Sequence, residues 1–143
     1  MPIDETDPVT SDELILRAIP NVRDYYDPTR AMGPFTRSTF KPTQSDVDGI
    51  SVYREAFVSP SELALSMRKK GDYYVVAMPA KEFIDAGLTI VPSPSAGPKG
   101  HCTIPELSHG NERRNKRWAK EVGQLLARKA ASAIVFRPGD AGS

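Results

Sequence analysis

The chain has 143 residues, of which 39% are hydrophobic and 26% are charged, and its formal net charge is +1. This length is typical of one globular domain that buries roughly two thirds of its unfolded surface. No apolar run approaches the roughly 18 residues that cross a bilayer, and the single cysteine, Cys102, excludes an internal disulfide. The acidic N-terminus lacks the pattern of an export signal, so we expect a cytoplasmic protein.

The charges are distributed unevenly along the chain. Residues 1–60 hold 6 Lys and Arg against 10 Asp and Glu, whereas residues 61–143 hold 13 against 8, so the two parts carry −4 and +5. Such a polarised chain could neutralise itself on folding, or it could offer a basic surface to an acidic partner. The sequence leaves both readings open.

The first third of the chain has little regular patterning. Residues 1–10 are predicted to be a flexible acidic tail, residues 11–138 a single domain and residues 139–143 a second flexible tail. An N-cap at Thr10 or Ser11, followed by an acidic first turn, predicts a short helix over residues 12–18. We expect residues 21–48 to be an irregular loop anchored by four aromatic side chains, Tyr25, Tyr26, Phe35 and Phe40.

Regular periodicity begins after residue 48. The alternation at the next segment indicates a half-buried strand, and Ser59 with Glu62 forms a capping box at the start of a helix that Gly71 ends. The predicted elements are strand 49–55, helix 59–70, strand 72–78 covered on both faces, helix 80–86, strand 88–91, strand 101–104, helix 111–129 and strand 133–136. This order predicts an α+β domain with one mixed sheet of about four or five strands, flanked by three or four helices.

Residues 111–129 are the most informative segment, because their spacing predicts one helix with an apolar seam and an opposite basic face. The seam consists of Trp118, Val122, Leu125 and Leu126. The candidate residues for binding a partner or a nucleic acid are Arg113, Arg114, Lys116, Arg117 and Lys120. Cations in a first helical turn oppose the helix dipole by about 0.3–1 kcal/mol each, so either a partner favours them there or they form a solvated charged face.

Other residue types that carry chemistry are scattered. His101 and Cys102 are neighbours on a predicted strand and point to opposite faces, so they cannot act as a pair, and we expect Cys102 to be buried. The spacing of His101, Cys102, Glu106 and His109 matches no standard zinc arrangement, so no metal or cofactor is predicted, and no catalytic residue is assigned. A candidate ligand pocket would require folding to assemble Arg37, Tyr53, Glu55 and His101.

Four short motifs are distributed over residues 14–138: Arg37-Ser38 with Phe40, Ile50-Ser51-Val52, Ala86-Gly87-Leu88 and Gly100-His101. Together with the closing basic helix, they resemble a group of small uncharacterised bacterial proteins. No activity is established for that group, so the resemblance implies a bacterial cytoplasmic protein and transfers no catalytic residue.

Three hypotheses for the function follow. The first is a non-enzymatic protein-interaction component, such as an accessory subunit of a bacterial multi-protein or defence system. The second is a nucleic-acid-binding protein that uses the basic face of helix 111–129. The third is an enzyme with a site near His101, which requires a pocket that holds His101 beside Arg37 or Glu55. The sequence leaves the oligomeric state open.

Overall fold

The structure is a computed structural model that describes residues 3–68 and 72–140. Within these ranges the chain forms six strands: β1 Leu14–Pro20, β2 Ile50–Arg54, β3 Tyr73–Pro79, β4 Val91–Pro92, β5 His101–Ile104 and β6 Ile134–Phe136. The α-helices are α1 Pro60–Ser66, α2 Ala80–Asp85, α3 His109–Arg114 and α4 Lys116–Ala130, and two short 3₁₀ helices span Arg37–Phe40 and Pro105–Leu107. The α+β class is therefore confirmed.

All six strands belong to one sheet in the order β4-β5-β2-β1-β3-β6, and every pairing is antiparallel. The prediction of a mixed sheet was wrong, and the strand count is slightly higher than expected. The reason lies in β1, which is inserted between β2 and β3 and pairs antiparallel with both. The connection through α1 therefore joins β2 to β3, which run parallel to each other but are not neighbours in the sheet.

The centre of the sheet is strand β1, where the sequence predicted a helix over residues 12–18. Ile15 and Leu16 point to opposite faces and are both fully buried. The cap signal produces only a single turn, in which the Glu13 N–H donates to the Thr10 carbonyl. Burial on two sides of the sheet outweighs the local helix signal, because a continuous apolar run suits a strand with neighbours on both faces.

Several later boundaries also differ from the predictions. The capping box at Ser59 and Glu62 is confirmed, but α1 ends at Ser66, and the predicted end at Lys70 and Gly71 lies outside the described residues. The strand expected over residues 88–91 is limited to Val91–Pro92. Strand β3 is covered on both faces as predicted, since Val75 and Val76 are fully buried.

The loop over residues 21–48 is held against the body by its aromatic side chains, as the sequence predicted. Phe35 and Phe40 are buried, and Tyr26 pairs with Phe35 in an isolated antiparallel bridge. The Tyr26 ring stacks on Tyr74 of β3 with 4.2 Å between ring centroids. These contacts fix the loop on the face of the sheet that α4 also covers.

A buried ion pair attaches the N-terminal segment to the sheet. The Arg54 side chain is 1% exposed and binds both carboxylate oxygens of Glu13 at 2.8 Å. Its remaining nitrogen donates to the Asp7 carbonyl at 2.7 Å, and the nearby Gly100 N–H donates to the Glu5 carboxylate at 2.8 Å. Residues 5–13 are thereby connected to both β2 and the start of β5.

This ion pair predicts a pH-dependent contribution to stability. Burial raises the pKa of Glu13, but hydrogen bonds from Arg54 and the Thr10 N–H outweigh it, so the pKa lies below its ordinary value of 4.5. A depressed carboxyl pKa contributes stability above the unfolded value, and that contribution is lost as the pH falls. We expect the difference in unfolding free energy between the parent and Glu13→Gln to be largest at neutral pH and to shrink below about pH 5. Urea unfolding at several pH values measures it, and a constant difference would contradict the assignment.

Among the described residues, no helix is long and apolar enough to span a membrane.

Candidate functional site

The basic segment is two helices rather than the single helix predicted over residues 111–129. Asn115 adopts φ −130° and ψ 47°, which ends α3 and begins α4. Its side-chain amide donates to the Asn111 carbonyl at 3.1 Å, which stabilises the break. The first turn of α4 contains no acidic residue and no side-chain cap, so its cations Lys116 and Arg117 lie at the positive end of the helix dipole.

The apolar seam is only partly as predicted. Val122 and Leu126 are buried, whereas Leu125 is 40% exposed and Trp118 is partly buried. The small residues Ala119, Gly123 and Ala127 explain the difference, because they are buried and Gly123 lies against the backbone of Arg37, so the buried face of α4 is turned toward them and away from Leu125.

A groove of about 730 Å³ lies between α3, the start of α4 and the loop that precedes β2. Five cationic side chains line it, namely Arg37, Lys41, Arg113, Lys116 and Lys120. Asp24 and Glu112 are the carboxylates in the lining, so the formal charge of the groove is +3. Three separate segments of the chain therefore contribute cations to one cavity.

Close packing of backbone on backbone positions the walls of the groove. Gly123 of α4 lies against the Arg37 carbonyl, and a Cβ added at Gly123 would be 3.2 Å from that oxygen. On the other side, the His109 N–H donates to the Asp46 carbonyl at 2.9 Å, which ties the loop to the start of α3. Arg37 and Arg113 are thus held on opposite walls.

A partly buried cation supports the loop from beneath. Arg17 of β1 donates through Nε and Nη2 to the Thr39 carbonyl at 3.1 and 2.9 Å, and through Nη1 to the Ser51 carbonyl at 2.8 Å. Burial lowers the pKa of Arg17, although the charge of Asp46 opposes this shift. Arg17 therefore fastens the 3₁₀ helix that carries Arg37 to the sheet.

The groove cations are free of carboxylate partners in the part of the chain that the structure describes. The ion pairs found there join Arg54 to Glu13, Lys81 to Asp85, Arg117 to Glu121 and Lys129 to Glu82. None of them involves a cation that lines the groove. Five cations that remain without partners around one cavity create a positive potential that attracts an anion.

A second, shallow depression of about 520 Å³ adjoins the groove through Lys116, which lines both. It brings together the remaining candidate cations, Arg114 and Arg117, with Trp118 and with Glu121, which forms an ion pair with Arg117. The five predicted binding residues of the basic segment therefore line two adjoining depressions that share Lys116.

The four residues of the candidate ligand pocket are not brought together. Arg37 lines the basic groove, whereas His101 and Tyr53 are cross-strand partners on the opposite face of the sheet, with ring centroids 5.3 Å apart. Glu55 is exposed after the end of β2. Neither the groove nor the adjoining depression includes His101 or Glu55, so neither of them holds His101 beside Arg37 or Glu55.

His101 instead connects β5 to β2 and to the segment that follows β4. Its Nδ1 lies 2.6 Å from the Ser93 carbonyl and its Nε2 lies 2.8 Å from the Ser51 hydroxyl. Because a carbonyl only accepts, Nδ1 carries the proton and Nε2 accepts from Ser51. The ring thereby links the segment after β4 to β5 and β2. Cys102 points to the other face and is fully buried as predicted, and burial raises its pKa to about 11.

Sequence reasoning missed Lys41 and Tyr25 as members of the site. Lys41 follows the 3₁₀ helix and Tyr25 lies on the far side of the loop, so only the folded loop brings them to α3 and α4. A signal for Lys41 was present in the sequence. Phe40 was predicted to anchor the loop, and Lys41 and Arg37 lie close to it on either side, so both cations are attached to the same anchored segment. For Tyr25, whose ring was expected only to anchor the loop, no such signal existed.

Neither a protein-family model nor a curated protein nor a solved structure matches this chain.

Proposed function

We propose that this protein is a non-enzymatic binding component that receives a polyanionic partner in the basic groove. The observation that carries the proposal is the convergence of five cations, from the loop, α3 and α4, on one cavity without carboxylate partners in the described residues. Cations that face one another repel, so the groove is a place where an anion lowers the electrostatic energy of the folded protein.

The geometry of α4 supports the same proposal. Lys116 and Arg117 oppose the helix dipole in the first turn, at an estimated cost of about 0.3–1 kcal/mol each. Binding an anion there would offset this unfavourable contribution, because both the cations and the positive end of the helix dipole attract negative charge. A partner held in this way suits an accessory subunit of a bacterial multi-protein or defence system in the cytoplasm.

Charge reversal inside the groove tests the proposal. We expect the double variant Arg113→Glu, Lys120→Glu to fold normally and to bind a generic polyanion, heparin, about 100-fold more weakly, because each lost charged contact contributes about 1.5 kcal/mol. Fluorescence anisotropy of labelled heparin at two salt concentrations measures the affinity.

The matched control is Arg128→Glu, Arg137→Glu, which changes the net charge equally at exposed positions that do not line the groove. This control should retain most of the affinity. Equal losses in the two double variants would show that net charge alone drives binding, and failure of the parent to bind would contradict the proposal.

A further inference from the structure

We infer that the polyanion is single-stranded nucleic acid, whose phosphates lie along the basic groove and whose bases stack on aromatic rings beside it. This inference rests on the proposed function and adds a class of partner to it. Its basis is the position of two rings, Trp118 and Tyr25, next to the cations.

Trp118 provides the first stacking surface. Its side chain is partly buried against the core, and the rest of it lines the shallow depression with Arg114, Lys116 and Arg117. An indole that packs against the core on one side can accept a base at a low ordering cost, while Arg114 and Lys116, which have no carboxylate partner among the described residues, reach the flanking phosphates. Lys116 continues the positive surface from this depression into the groove.

Tyr25 provides the second ring, on the opposite wall. It is partly buried and lines the groove, and its carbonyl accepts from the Thr36 N–H at 3.0 Å and from the Thr39 hydroxyl at 3.3 Å. These bonds fix its backbone against the 3₁₀ helix that carries Arg37. Cations and a ring therefore lie together in the groove, through Tyr25, and in the adjoining depression, through Trp118.

The rings distinguish a nucleic acid from an acidic protein segment, and a single strand from a duplex. Carboxylates need cations but gain nothing from aromatic surfaces, whereas every nucleobase has a face that stacks. In a duplex those faces are already stacked within the helix, and the protein meets only phosphates and groove edges. A surface that combines fixed rings with groove cations, which have no carboxylate partner among the described residues, therefore favours unpaired bases.

The decisive comparison uses an oligothymidylate and an abasic oligonucleotide of the same length, which share a backbone charge and differ only in their bases. Trp118 is the only tryptophan of the chain, so its fluorescence reports directly on stacking. We expect the oligothymidylate to quench that fluorescence and to bind about 5- to 150-fold more tightly for each stacked base. The logarithm of its affinity should fall with the logarithm of salt concentration by about 0.7 per phosphate contact.

Two variants connect the effect to the ring, with binding followed by anisotropy of labelled oligonucleotide and folding by thermal melting. Trp118→Leu should reduce the preference for the oligothymidylate over the abasic strand to the part that Tyr25 supplies, whereas Trp118→Phe should retain more of it. If Trp118→Leu does not fold, Trp118→Phe still tests the inference. We expect its preference for the oligothymidylate over the abasic strand to be smaller than that of the parent protein, and an unchanged preference would contradict stacking on Trp118.

The possible results separate this inference from the proposed function. Equal binding of the two strands without quenching would overturn the single-stranded assignment and leave a polyanion groove. Tighter binding of poly-L-glutamate than of the oligothymidylate would point to an acidic protein segment and would also overturn it. Failure of oligonucleotides, poly-L-glutamate and heparin to bind at all would overturn both proposals.

Discussion

Replacing Arg54 by Met should lower the free energy of unfolding by about 3–5 kcal/mol, because it leaves a buried carboxylate without its partner. Arg54 binds Glu13 through two parallel hydrogen bonds of 2.8 Å, and the Glu13 side chain is only 14% exposed. A carboxylate in that position must lose its charge or draw water into the core, and both alternatives are costly. The third nitrogen also leaves the Asp7 carbonyl without its donor.

Chemical denaturation of Arg54→Met and of the double variant Arg54→Met, Glu13→Leu measures this effect. We expect the double variant to recover much of the loss, because it replaces both charges with apolar groups rather than stranding one of them. The matched control is Arg128→Met, an exposed arginine on α4, which should change the free energy by at most about 0.5 kcal/mol. A loss as small as that of the control would show that the pair is solvated.

The strands and helices that the sequence predicted well are those whose local signals agree with their tertiary surroundings. The capping box at Ser59 correctly predicted the start of α1, and the apolar run at Val75 and Val76 correctly predicted that β3 is covered on both faces. The helix prediction over residues 12–18 was wrong because a short apolar run is compatible with either a helix or a strand buried on both faces. The length of this run, seven residues in β1, is more typical of a strand. The pairing with β2 and β3 that decides between them involves residues distant in sequence.

The site was predictable in part for a similar reason. The cations of the basic segment are visible as a run, and the structure places them in two adjoining depressions that share Lys116. The opposite wall was not predictable, because Arg37 reaches this surface only through the close approach of its carbonyl to Gly123. The hypothesis of a ligand pocket also grouped Arg37 with His101, but the sheet separates them onto opposite faces.

Replacing Gly49 by Ala is the second change with a large expected effect, and we expect a loss of about 2–6 kcal/mol in the free energy of unfolding. Gly49 has φ +126°, a conformation that costs a residue with a side chain about 1–3 kcal/mol. An added Cβ would lie 2.2 Å from the Ile104 carbonyl oxygen, so the Ile50 and Ile104 pairing must also move, which adds a cost like that of overpacking, about 1–3 kcal/mol. Chemical denaturation measures the sum.

Two other glycines separate these contributions. Gly87 has φ +89° with nothing within 4 Å of an added Cβ, so Gly87→Ala should show the backbone cost alone. Gly110 lies in α3 with open space around it and no positive φ, so Gly110→Ala should be neutral or slightly stabilising. Because Gly49 joins the loop of the groove to β2, its substitution should also weaken polyanion binding while Gly87→Ala leaves it unchanged. If Gly49→Ala lowered the free energy of unfolding no more than Gly87→Ala, the close approach of residue 49 to the Ile104 carbonyl would make no contribution to the loss of stability.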